Sequence, residues 1–196
     1  MRSRLYGVTK DVAIIFFFLV CFFVLTHNPM VRPEPKKALG TWSIELRQRP
    51  LALGIAGHNY LMLRNEQGEV VAQLHGLPTD TVTGAWKYIG RNKTDVLRVW
   101  EFDKENPNKE LENGYGISLI ATSQIEALRL WEKAQTCAIK VDLLYLPYPP
   151  FGISFRKDTE NSNSVAYTLA TCMGLATKHI GLFTPGWGKD LLENSR

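Results

Sequence analysis

Three side chains in this sequence have the types and spacing of a nucleophile and its base. Ser162 stands in the run Asn161-Ser162-Asn163-Ser164-Val165, and His58 and His75 stand on two strand-like runs joined by a turn. A hydroxyl where a helix begins lies beside free backbone N–H groups and the positive end of the helix dipole. These lower the energy of an anion and can double as an oxyanion hole. A serine still needs a base to take its proton, usually a histidine held by a third polar group. His58 as base, His75 as its orienter and Ser162 as nucleophile meet that requirement, with Asn161, Asn163 and Ser164 supporting the helix terminus. The same residues also have a purely structural use. Asp158, Thr159 and Asn161 to Ser164 are all good turn or N-cap residues, and any helix needs one. His58 and His75 serve equally as half-exposed strand residues.

The elements that must position these groups read as follows. GHNYLMLR (57–64) and EVVAQLHGL (69–77) alternate as strands and meet across Asn65-Glu66-Gln67-Gly68, a turn ending in glycine. Taking those four residues as the loop pairs Arg64 with Glu69. Leu61, Leu63, Val70, Ala72 and Leu74 then share the core face, and His58 lies directly across from His75 on the other. WSIELR (42–47) and DVLRVWEF (95–102) are further strands, with residues 78–95 and 103–116 as loops. Ser123-Gln124-Ile125-Glu126 is a capping-box sequence that opens a helix reaching about Thr136. Residues 139–145 either extend that helix or form a strand, until Pro147, Pro149 and Pro150 end the element. Gly152 to Phe155 is a short strand. Val165, Leu169, Cys172 and Met173 give the last helix one apolar face, and Gly174 stops it. Thr184-Pro185-Gly186-Trp187-Gly188 is a packed turn. Strands, helix, short strand and helix in that order argue for an α+β fold, a small antiparallel sheet packed with two or three helices.

A histidine at the start of a strand, a second polar residue on the next strand, and an Asn-Cys-x-x-aromatic motif opening a helix about a hundred residues on form the circularly permuted papain-like pattern. Relatives of the NlpC-type peptidases and of lecithin:retinol acyltransferase carry it. Over residues 54–175 this chain resembles that superfamily: Gly57-His58-Asn59-Tyr60 matches the histidine strand, His75 the third member, and Asn161-Ser162-Asn163-Ser164-Val165 the nucleophile motif. The resemblance implies a permuted papain-like fold and attack on an amide or ester, with a cell-wall peptide or a lipid acyl group as substrate. Two positions depart from the pattern: Ser162 replaces the cysteine and Val165 the aromatic residue. A thiol forms its anion readily near neutral pH, whereas a serine must lose its proton during attack. The site therefore works as a serine hydrolase or transferase, or it has lost the chemistry and binds a protein or envelope component. Cys172 cannot substitute, being about 15 Å along the helix from Ser162.

Composition sets the surroundings. Residues 1–39 hold six of the 23 Lys+Arg and two of the 19 Asp+Glu, so the remainder is formally neutral with 17 of each. That excludes the electrostatic footprint of a nucleic-acid-binding domain. VAIIFFFLVCFFVL (12–25) is an uninterrupted apolar run after Arg2, Arg4 and Lys10, without small residues at its end to serve as a cleavage site. It reads as an uncleaved transmembrane signal anchor over residues 12–31, between a cytoplasmic N-terminus (1–11) and a Pro-rich linker (32–40). Residues 41–196 then form a globular domain in the periplasm or outside the cell, on a single-pass protein of a bacterial inner membrane. Cys137 and Cys172 lie on predicted helices among apolar neighbours and are expected as buried thiols. No Cys/His/carboxylate group has metal-ligand spacing and no glycine-rich phosphate loop follows a strand, so neither metal nor cofactor is expected.

Overall fold

The computed structural model describes residues 40–51, 54–107, 114–152 and 159–193. The expected N-terminus and membrane anchor, and the linker up to residue 39, lie outside them. All described residues belong to the unit Arg32–Arg196. Among them, no helix is long and apolar enough to cross a membrane.

The fold is α+β. Five antiparallel strands, β1 (Trp42–Leu51), β2 (Ala56–Arg64), β3 (Val70–Asp80), β4 (Asp95–Asp103) and β5 (Tyr115–Thr122), form one sheet in the order β4-β3-β2-β1-β5. Among the described residues two helices, α1 (Gln124–Leu143) and α2 (Ser162–Cys172), pack on it. Strand alternation sends Ile44, Leu46, Leu61, Leu63, Ala72, Leu74 and Leu97 to one face, where they meet Leu130, Trp131 and Val141 of α1 and Val165, Ala166 and Leu169 of α2 in a buried core. β5 is an addition to the expected elements. It pairs along β1 from Trp42–Thr122 to Gln48–Tyr115, and Ile117, Leu119 and Ile120 pack against the core.

α1 starts where the capping box places it, with Ser123 accepting the Glu126 N–H. It continues past Thr136 to Leu143 because Ala138 and Val141 prolong the buried stripe. Of the short strand expected over Gly152–Phe155, residues 153–155 lie outside the described residues, and Gly152 itself ends a 3₁₀ turn, Pro150–Gly152. Phe151 (φ 59°) and Gly152 (φ 70°) lie in the left-handed region, which a strand cannot accommodate.

The β2–β3 register differs from the expected one by two residues. Arg64 pairs with Val70 rather than Glu69, and after a bulge Leu63 pairs with Ala72 and Leu61 with Leu74. The cause lies in the turn. Asn65 closes it, accepting the Gln67 and Glu69 N–H groups on its side chain and donating its own N–H to the Glu69 carbonyl, so Glu69 belongs to the loop. The bulge gives Val71, not Val70, to the core. A slip of two residues keeps every other side chain on its expected face, since the side-chain period is two.

Cys137 and Cys172 are not free thiols. They form a disulfide across 35 residues, with Cα atoms 6.6 Å apart, joining α1 to the last residue of α2. The apolar neighbours that suggested burial belong to the interface between these two helices, which is where the sulfurs meet.

Candidate functional site

His58 and His75 come together as expected, although by a different path. The observed register sets Tyr60 beside His75, their rings stacked with centroids 4.3 Å apart. His58, two residues further along the strand and on the same face, reaches diagonally, and its Nε2 lies 3.0 Å from His75 Nδ1. His75 Nε2 in turn lies 2.8 Å from the side-chain oxygen of Gln73. These residues are buried, and the edge of Phe102 closes on His75 at 5.6 Å. Burial, aided by the Arg49 guanidinium, pushes His58 down to about 3. Burial, then His58 and Arg49, holds His75 well below the usual imidazole range. Both rings are therefore neutral at neutral pH.

Ser162 is the first residue of α2. Asn161 caps the helix, its side-chain oxygen accepting the N–H groups of Asn163 (2.9 Å) and Ser164 (3.4 Å), while the Ser164 hydroxyl accepts the Asn161 N–H at 2.7 Å. This is a reciprocal capping box. The Asn161 and Asn163 side-chain amides both donate to the Pro185 carbonyl, so the C-terminal turn secures the helix start. The Asn163 side-chain oxygen accepts the backbone N–H of Asn59 at 2.8 Å. The first turn of α2 thus meets the sheet where β2 and β3 part, beyond the Leu61–Leu74 pair. Gly76 makes room for it: a Cβ there would lie 3.0 Å from the Ser162 Cα.

The serine itself is engaged elsewhere. Burial pushes the phenol of Tyr148 up to about 12, and the Ser162 hydroxyl and N–H beside it pull the other way. No hydrogen bond joins Ser162 to either histidine. Alternation directs His58 and His75 away from the face covered by the helices, whereas Ser162 touches Gly76 from the helix side. His58 and His75 are thus brought together on one face of the sheet, and Ser162 stands on the other, at the opening between β2 and β3. The amides of Asn163 and Ser164 are occupied by the Asn161 side chain. A cleft of about 440 Å³ lies elsewhere, along β3 and β4, lined by residues including Asp80, Arg98, Trp100 and Tyr145.

Two residues of the site escaped sequence reasoning. Gln73 had a signal, since it stands two residues before His75 and therefore on the same strand face. Tyr148 had none, because it lies in an irregular proline-rich segment. It is positioned by its N–H bond to the Asp95 carbonyl (2.8 Å) and by packing on Gly90 and Gly152, where any Cβ would crowd the ring.

No protein-family model, curated protein or solved structure matches this chain.

Proposed function

We propose that this chain is a membrane-anchored envelope hydrolase or transferase of permuted papain-like arrangement, acting on an amide or ester bond of a cell-wall peptide or a lipid acyl group. The observation that carries this reading is the 3.0 Å contact between His58 and His75, next to the start of α2. In the reaction, the Ser162 hydroxyl turns from the helix side toward His58 through the opening between β2 and β3, and its oxygen bonds to the substrate carbonyl carbon. Its proton passes to His58, which His75 holds in place. The tetrahedral intermediate then expels the amine or alcohol with that proton, leaving an acyl-serine. Water or an acceptor alcohol, deprotonated by the same histidine, releases the acyl group. The Cys137–Cys172 disulfide fits the oxidising side of the membrane, and residues 12–25 supply the tether.

A second reading is favoured by a specific observation. Ser162 lies on the helix side of the sheet beside the Tyr148 phenol, and the histidines project from the other face, which favours a catalytically silent papain-like module that binds a protein or wall component.

A serine-directed fluorophosphonate probe separates the two. Labelling that disappears in both Ser162→Ala and His58→Ala, and rises in Tyr148→Phe, supports the enzyme. A folded Tyr148→Phe protein that takes no label, or label indifferent to His58→Ala, moves the assignment to the binding module.

A further inference from the structure

We infer that Gln73 is a positioning residue that sets the order of protons along the histidine pair, so that His58 presents Nδ1, unprotonated, as its basic nitrogen. The inference rests on bond counting. An amide oxygen can only accept, so the 2.8 Å contact between Gln73 Oε1 and His75 Nε2 places the His75 proton on Nε2. A neutral imidazole carries one ring proton, so His75 Nδ1 is an acceptor. The 3.0 Å contact between His75 Nδ1 and His58 Nε2 then makes His58 Nε2 the donor. His58 Nδ1 keeps its lone pair. One glutamine thereby fixes two tautomers, with His75 passing the choice along.

The fold holds Gln73 to this task. It stands on the interior strand β3, paired with Met62 on one side and Phe102 on the other, and is 2% exposed. It shares a strand face with His75 through the two-residue period. Without Gln73 as acceptor, His75 is free to carry its proton on Nδ1. It would then donate to His58 Nε2, and His58 would turn from base to donor at Nδ1. That is the wrong tautomer for accepting a serine proton, the kind of error that disables a triad whose geometry is intact.

The test uses ring ¹⁵N–¹H correlation spectra of the full chain in detergent. Both histidines should show the Nε2–H form. Gln73→Leu should give mixed or reversed tautomers, and Gln73→Glu, which keeps an acceptor, should preserve the order. On the proposed enzyme reading, fluorophosphonate labelling should also fall by about 10²- to 10⁴-fold in Gln73→Leu and recover in Gln73→Glu. A wild-type His58 carrying its proton on Nδ1 overturns the inference, even where Gln73→Leu fails to fold. Unchanged tautomers in a folded Gln73→Leu do the same. The spectra require no activity, so absence of labelling in the wild type bears on the enzyme reading alone.

Discussion

Asn163, on the helix that carries Ser162, accepts the backbone N–H of Asn59, the neighbour of His58, at 2.8 Å. This bond stands in for a rung of the sheet. β2 and β3 no longer pair at this level, and Asn59 would otherwise bury an N–H with no acceptor. It is also the direct link between the helix of the proposed nucleophile and the strand of the proposed base.

Asn163→Ala should therefore lower stability by about 1–3 kcal/mol, the cost of stranding a buried donor. Urea unfolding measures it. A loss within about 0.5 kcal/mol, the usual range for surface substitutions, would mean that the latch does not hold.

Acid should weaken the domain in a defined window. His58 is neutral in the folded state down to about 3, while an unfolded histidine takes a proton near 6.5. His75 is shifted in the same direction. Between those limits the unfolded chain binds more protons, so stability is fully present above pH 6.5 and falls as the pH drops. The slope is about 1.4 kcal/mol per pH unit for each histidine. Urea midpoints at pH 7.5, 6.5 and 5.5 should decline accordingly, and the decline should flatten in His75→Gln. A flat profile in the wild type would contradict the burial of these rings.

The disulfide makes a prediction of its own. Closing a loop of 35 residues restricts the unfolded chain and is worth about 3–4 kcal/mol. The Cys137→Ser/Cys172→Ser double variant should unfold at correspondingly lower urea. The wild type should approach it when reduced, while peptide mapping without reductant should recover the two cysteines linked. Equal midpoints with and without reductant would show that the bridge adds nothing.

The parts of this fold that were legible in the sequence are those written in a period. The alternation around Leu61, Leu63, Ala72 and Leu74 gave the hairpin and its core face, and the spacing of Val165 and Leu169 gave the last helix. The slip in register was not legible because it depends on which backbone groups the Asn65 side chain captures. β5 escaped because it begins as Tyr115-Gly116, amid residues that read as loop. At the site, the histidine pair could be anticipated because a slip of two residues preserves faces, and a diagonal neighbour lies within reach of long side chains. Tyr148 could not, because its place depends on long-range contacts with Asp95, Gly90 and Ser162.

Gly76 offers the most exacting test of how the helix meets the sheet. A Cβ on this residue would lie 2.7 Å from Val165 Cγ2, 2.8 Å from Val165 Cβ and 3.0 Å from the Ser162 Cα. Gly76→Ala must therefore push the first turn of α2 away from β3, and overpacking of this kind costs about 1–3 kcal/mol. Trimming the opposing side chain relieves only part of the conflict, because Val165→Ala removes Cγ2 but leaves both Val165 Cβ and the helix backbone in place. In a double-mutant cycle the pair Gly76→Ala/Val165→Ala should be more stable than the sum of the single losses by about 0.5–3 kcal/mol, the range for residues in contact. It should still fall short of Val165→Ala alone. Strict additivity would place Gly76 and Val165 out of contact, and with them the docking that brings Ser162 to the opening between β2 and β3.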